Sequence, residues 1–565
     1  LTGCNVRNAM YDNSLRHPPV HATKSRPGHL FFPPATQHSM ETPPAQRYST
    51  AMLSKLCCLL IACSAAMADM PGVQEPRVTL EQATELVTHA RAAMRLFLTD
   101  RVTASNYLLP QELRDIQTNS SAVALTIRHQ GRHERFVETG RDLAQNVVNA
   151  ALKAMRSGVL PDVVTPELLE SCLLEVEILG PGVVVAKEDI AKTYIQGIVG
   201  VRVSRGLDDS YVLPSTACAR GLSAEAAVKE ALRDLPSTPS AEGLPLRWMV
   251  YSTSHYAAFA DGQVVCLYRG KLLMPQDLIT QQDMNAAARQ VGDYLLRCLD
   301  GSGVFFLRGG DFSVRDQVYA AYALSRLAES TGDKRYAVGS NLALSHVAGL
   351  IRQDETKAWI ESDGGSELAA TAMLLSQMPE SDDKGSPRAK LLRFVLEHPT
   401  PPPAEASRAI VALRRAGVEP PNWPVSYSGS DDVEAAWMIR AGIAPAASAP
   451  PLPVGPEALL DEQGAIAAEG RAPGTVATAI AAAALAEGKS WAGVDALSPD
   501  KREQIILSAR KFCYQMVYKP RETYYAQSPE GLIGGVRAGP DDGRITLGAC
   551  AAAIEAFLAD PHMEK

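Results

Sequence analysis

Residues 534–558 read Gly-Gly-Val-Arg-Ala-Gly-Pro-Asp-Asp-Gly-Arg-Ile-Thr-Leu-Gly-Ala-Cys-Ala-Ala-Ala-Ile-Glu-Ala-Phe-Leu. A glycine pair leads through a polar loop, bearing Arg537, Asp541, Asp542 and Arg544, into a segment of small and apolar residues. Two earlier stretches follow the same plan. Gly309-Gly310 precedes Asp311, Arg315 and Asp316, and Gly364-Gly365 lies among Glu361, Asp363 and Glu367. The first two pairs stand 55 residues apart and the third follows after 170, about three such periods. Periods of this size mark stacked helical hairpins, with one polar loop of each hairpin at a common end. Glycine tolerates positive φ and close backbone approach, so each pair can turn the chain sharply into its helix.

Six segments share this small-residue character: Val314–Ala328, Ser366–Met378, Ala404–Arg415, Asp432–Ala441, Thr475–Leu485 and Thr546–Leu558. Between them lie more polar amphipathic segments, Gln282–Leu299, Tyr336–Ile351, Ala389–Leu396 and Pro499–Tyr518. Small side chains let inner helices pack closely, while outer helices keep a polar face, so the alternation predicts two concentric layers. Proline-rich breaks at 399–403, 420–424 and 445–456 separate the hairpins. No amphipathic partner stands between Arg415 and Asp432, so one hairpin is expected to be truncated. Residues 275–565 thus resemble the α/α-toroid superfamily of six-hairpin glycosidases, sugar epimerases, lyases and terpenoid cyclases.

The chain has 565 residues, too many for one ordinary core. Its apolar fraction of 46% and charged fraction of 21% are those of globular proteins. A net charge of −8 leaves no basic field for nucleic acid or an anionic membrane. Residues 1–51 are rich in Pro, His, Ser and Thr without apolar periodicity, and are expected to be disordered or an over-extended reading frame. Residues 52–68 have a Lys-bearing start, a short apolar run and the small-x-small pattern Ala66-Met67-Ala68, the order of a secretory signal. Leu60-Ile61-Ala62-Cys63 resembles a bacterial lipoprotein box, which would make Cys63 the lipidated residue. The expectation is an exported protein, periplasmic or extracellular, touching a membrane only if anchored through Cys63. The six later cysteines form no Cys-x-x-Cys pair and have no histidine at zinc-ligand spacing, so no metal or other cofactor is expected.

Residues 75–265 mix elements without regular βαβ alternation. Helical periodicity covers 79–98, 142–155 and 223–232, while strand patterns cover 122–127, 173–179 and 197–203. That mixture is α+β, so the fold class is an α+β domain followed by an all-α helical-hairpin toroid. Pro166-Glu167-Leu168-Leu169, the strand Leu174–Leu179, the run Gly200-Val-Arg-Val-Ser-Arg-Gly206 and Tyr211-Val-Leu-Pro214 resemble the AMME chromosomal region protein family. That family's Arg-Gly-Cys-Ile-Gly motif is replaced here by Gly131-Arg132-His133-Glu134-Arg135, which lacks the cysteine, so the resemblance implies a binding or scaffolding role. His129 and His133 stand four apart, but in a strand–turn context that suits a solvated turn better than a metal site.

Chemistry is expected at the polar end of the toroid. Glycoside cleavage needs two carboxyl groups facing each other across a sugar. Asp311, Asp316 and Asp363 are the candidates for acid/base roles, with Glu367, Glu434 and Asp541 near other helix starts. Arg315, Tyr319, Arg537 and Asp541 are candidates for substrate binding, the arginines by pairing with polar or acidic sugar groups. Tyr322, Trp359, Trp437, Tyr524 and Tyr525 could offer aromatic faces. Terpenoid cyclase chemistry is disfavoured, because Asp431-Asp432 and Asp541-Asp542 lack further aspartates. No P-loop, dinucleotide fingerprint or Gly-x-Ser-x-Gly elbow occurs. The expected partner is a carbohydrate or another extended polymer, bound or cleaved at the toroid mouth. The rival is a non-catalytic platform for protein partners.

Overall fold

The computed structural model describes residues 76–559, leaving out 101–106, 239–242, 273–277, 308–312, 363–364, 426–430, 444–473, 490–496 and scattered single or paired positions. The expected tail, signal segment and Cys63 therefore lie outside the described residues, as do Asp311, Asp363 and Asp541. The described residues belong to one compact unit.

The first half begins with helix α1 (Leu80–Asp100), whose apolar stripe is buried from Ala83 to Met94. Strands β1 (Ala122–His129) and β2 (Arg132–Thr139) form a hairpin. Helix α2 (Leu143–Ala154) follows, its N-terminus capped by Asp142, which accepts from the Gln145 amide. Then come β3 (Leu173–Leu179), β4 (Val183–Val185), β5 (Val199–Arg205) and β6 (Asp208–Val212). Helices α3 (Pro214–Arg220) and α4 (Ala224–Arg233) precede β7 (Arg247–Ala258), β8 (Val264–Tyr268) and β9 (Lys271–Leu272). The sheet runs β2-β1-β3-β7-β5-β6, antiparallel throughout, with β4 and β8 also pairing on the long β7. Val123, Leu125 and Ile127 of β1 join α1 and α2 in one apolar core, as side chains alternating along a strand must.

The other face of this sheet carries Thr126, Glu175, Glu177 and His255, all buried. The alternation in 173–179 predicts a half-buried strand with its glutamates in water, but both faces are covered. Glu177 is satisfied by the Ser215 amide at 3.2 Å and by the Thr253 hydroxyl at 2.9 Å. Glu175 takes His255 at 2.8 Å and pairs with Arg128. Tyr524, from the second half of the chain, reaches Glu175 at 3.3 Å, and Arg128 lies over the Tyr524 ring. Burial alone would raise the Glu175 carboxyl, but Arg128 and His255 outweigh it and hold the group well below the usual range.

The second half consists of ten longer helices among the described residues. They are α5 (Gln281–Cys298), α6 (Val314–Thr331), α7 (Lys334–Ala348), α8 (Leu368–Leu375), α9 (Pro387–Leu396), α10 (Pro403–Arg415), α11 (Asp432–Arg440), α12 (Thr475–Ala486), α13 (Pro499–Met516) and α14 (Leu547–Leu558). Helices α6, α8, α10, α11, α12 and α14 pack in that order, and α14 returns to α6, so six helices close a ring. They are the six small-residue segments of the sequence. Helix α12 is almost wholly buried, with alanine at seven of its twelve positions, which permits the close approach of α11 and α14. Helices α5, α7, α9 and α13 lie outside, each burying one stripe. One apolar cluster spans 279–558, separate from those of 78–266. Residues 416–425 contain no helix, in keeping with a shortened hairpin.

Two expectations need correction. The toroid is not all-α, because Ile351–Gln353, Ala358–Ser362 and Gly365–Ser366 (β10, β11, β12) form a three-stranded sheet between α7 and α8. Gly365, at φ +109°, therefore begins a hairpin strand paired with Ser362 rather than leading directly into a helix. The third pair meets a packing demand. Gly534 has φ +87°, and a Cβ there would sit 2.3 Å from the Gln290 carbonyl oxygen of α5. Gly534→Ala is expected to lower stability by about 1–3 kcal/mol, read as a shift in the urea midpoint at constant slope.

Candidate functional site

The first turns of α6, α8, α10 and α11 meet at one end of the ring, where Arg315, Asp316, the Ala369 amide, Glu405 and Asp431 come together, and Gly548 at the start of α14 stands beside Asp316. Gln317 ties down the loop before α6 by exchanging two hydrogen bonds with the Phe305 backbone, at 2.9 and 3.0 Å. Ser313 caps α6 by accepting from the Asp316 amide at 3.3 Å. That cap places Arg315 and Asp316 in the first turn, where the helix dipole favours an acid. The Arg315 guanidinium lies 3.8 Å from Asp316 and 3.3 Å from Glu405 of α10. Glu405 also accepts from the Ala369 amide of α8 at 2.9 Å, so one carboxylate ties three ring helices together.

Arg408, one turn along α10, is the hub of this end. Its charge faces Arg315, Glu405, Asp316 and Asp431, and its guanidinium lies 5.5 Å over the Trp437 ring. Burial, reinforced by Arg315, pulls its pKa down. Asp431 caps α11 through the Val433 amide at 2.8 Å. Glu434 follows one turn later, and its Oε1 is buried without a hydrogen-bond partner. Burial and the neighbouring Asp431 push the Glu434 carboxyl up, and Arg408 only partly offsets them. Burial likewise raises the Asp316 carboxyl despite Arg315 and Arg408. Gly548, opening α14, leaves room above Asp316, where a Cβ would lie 3.8 Å from its Oδ1. Both carboxyls are shifted toward the protonated form beside two guanidiniums, the direction a proton donor requires.

Below this end the lumen is filled. Tyr319 and Trp437 meet edge to face at 5.5 Å, both buried. The Tyr319 hydroxyl donates to Glu555 at 2.6 Å, away from the loops. Beneath Trp437 a buried ion cluster joins four elements. Arg440 donates to Glu555 at 2.7 Å and to Glu487 at 2.5 Å, and Arg415 donates to Glu555 at 2.8 Å.

The structure places Arg315 and Asp316 beside Glu405, Arg408, Asp431 and Glu434. Tyr319 sits in the filled lumen. Arg537 is buried against the Tyr518 ring at 4.3 Å, with Nε and Nη2 lacking hydrogen-bond partners. Trp359 stacks on Phe394 of the outer helix α9, and Tyr524 and Tyr525 pack toward the sheet. Arg408 escaped the sequence reading, although the pair Glu405-x-x-Arg408 on a helix of small residues was the signal that could have found it.

No family model and no curated protein sequence matches the chain. Among solved structures it is similar to an uncharacterized protein from Pyrococcus horikoshii, at 19% identity and TM-score 0.27, over 33% of this chain and 97% of that one. It is also similar to the alpha-1,6-mannanase GH76A of Salegentibacter sp. HEL1_6. An inactive variant of that enzyme in complex with alpha-1,6-mannotriose matches at 13% identity and TM-score 0.27, over 50% of this chain and 100% of that one. A further structure of that enzyme matches at 12% identity and TM-score 0.27, over 49% of this chain and 98% of that one.

Proposed function

We propose that the chain is an exported two-part protein that binds an extended carbohydrate at the N-terminal end of its helical ring and cleaves a glycosidic bond there. The observation that carries this reading is the convergence of Asp316, Glu405, Asp431 and Glu434 around Arg408, with two of the four carboxyls shifted upward. A glycosidase needs one carboxyl that keeps its proton and one that is ionised. Asp316 and Glu434 suit the first role. Asp311 and Asp363, which precede α6 and α8 in the sequence, are the proposed partners for the second. Arg315 would hold sugar hydroxyl or carboxylate groups. Export rests on the sequence of 52–68. The segment 75–265, whose sequence resembles the AMME chromosomal region family without the cysteine motif, would bind or scaffold. Among the described residues the six helices close a ring around the packed Tyr319 and Trp437, which favours a ligand at one end over a helical-repeat platform for proteins.

The test is binding of the full chain to an array of oligo- and polysaccharides. At least one extended saccharide is expected to bind saturably, and Arg315→Ala is expected to weaken it about tenfold, as loss of a charge-assisted hydrogen bond does. Failure to bind any glycan would overturn the reading.

A further inference from the structure

The opposite end of the ring holds a cavity of about 330 Å³. It is lined where α10, α11, α12 and α14 finish, together with Arg326 of α6, and its cations are Arg326, Arg414, Arg415, Arg440 and Lys489. Against these five stand two anions, Glu487 and Glu555, a local balance of +3 in a chain whose net charge is −8. Helix C-termini carry about −0.5 charge each, so the ends of α10, α11, α12 and α14 account for roughly −2 of compensation. Arg414 serves that purpose directly, donating to the Ala441 carbonyl at the end of α11. A surplus of about one positive charge remains after that offset.

The surplus has an address. Arg440 and Arg415 are committed to the buried glutamates. Arg326 has only the exposed Glu329 at 3.7 Å, and Lys489 makes no ion pair among the described residues. We propose that this cavity is a binding site for a small oxyanion, of the carboxylate or phosphate class, gripped by Arg326 and Lys489 and oriented by Arg414 and Arg415. The volume equals that of about ten waters, enough for phosphate or a short dicarboxylate and too small for an extended saccharide. The site is distinct from the carboxylate-rich end. Trp437 lies between the two, with Arg408 5.5 Å over its ring and Arg440 5.7 Å from the same ring.

The experiment is a thermal-shift and calorimetric titration of the full chain with inorganic phosphate and, separately, succinate, against sodium chloride at equal ionic strength. At least one of the two anions is expected to bind saturably and raise the melting temperature beyond the chloride control; which one does so fixes the class. In Arg326→Gln/Lys489→Gln the affinity is expected to fall at least tenfold, with the melting temperature in chloride unchanged, because neither side chain belongs to the buried ion cluster. Arg315→Ala, at the other end of the ring, is expected to leave anion binding intact. Absence of saturable binding by both anions, or binding that the double variant retains, would overturn the proposal.

Discussion

Glu555→Ala is expected to destabilise the helical ring by about 3–5 kcal/mol, the cost of stranding a buried charge. The carboxylate accepts from Arg440, Arg415 and Tyr319, and Arg440 is itself buried in the ring. Domains are stable by about 5–15 kcal/mol in total, so the variant should sit near the edge of unfolding at 37 °C. Replacing both, Arg440→Met with Glu555→Leu, should recover only part of that loss, since Arg440 is no longer stranded but Arg415, Tyr319 and Glu487 each lose a partner. Chemical denaturation of the two single variants and the double variant closes the cycle. The pH dependence has a definite sign. Burial alone would raise the Glu555 carboxyl, but Arg415 and Arg440 hold it well below the usual range. Its folded pKa lies below the unfolded one, so its contribution is complete above about pH 5 and is lost as pH falls through the acid range. A wild-type stability flat between pH 6 and pH 3 would contradict this account of the cluster.

Asp316→Asn is expected to abolish nearly all glycosidic cleavage, lowering kcat by about 10²–10⁴-fold, the contribution of a positioned general acid or base. Saccharide binding should persist, because the amide keeps the size and one oxygen of the carboxylate. Stability gives a second readout. The folded carboxyl titrates above its ordinary value, so ionising Asp316 works against folding, and that penalty eases as pH drops toward the folded pKa. An amide carries no such charge, and the melting temperature at pH 7 should hold or rise. Functional groups placed at a cost to stability behave this way. A variant that keeps wild-type turnover would remove Asp316 from the chemistry. One that loses turnover only by unfolding would mark it as structural.

The ring was legible because its periodicities are local. Helices dense in alanine fall into the inner layer and amphipathic ones into the outer, and the ten predicted segments match the observed helices to within a few residues. The short sheet at 351–366 escaped because the same Gly-Gly dipeptide suits a hairpin turn and a helix start alike. The lumen was the least legible part. Within Ala-Ala-Ala-Ile-Glu-Ala-Phe-Leu, Glu555 is one acid on an otherwise apolar helix, and its partners Tyr319, Arg415 and Arg440 lie 236, 140 and 115 residues away. Nothing in local spacing names such partners. A helix buried on every face does require that its lone charge be paired, and that argument could have flagged Glu555 and Arg440 before any fold was known. Glu175 and Glu177 escaped for the same reason, since alternation along β3 speaks of one covered face and the sheet has two.

The central claim is that sugar binds at the N-terminal end of the ring, among carboxyls and guanidiniums from several inner helices. A crystal structure of the Asp316→Asn protein with an oligosaccharide chosen from the array tests it most directly. The account predicts a glycosidic oxygen within hydrogen-bond distance of residue 316 or Glu434, and a sugar hydroxyl or carboxylate on Arg315 or Arg408. A saccharide bound elsewhere on the molecule, with that end of the ring untouched, would contradict it.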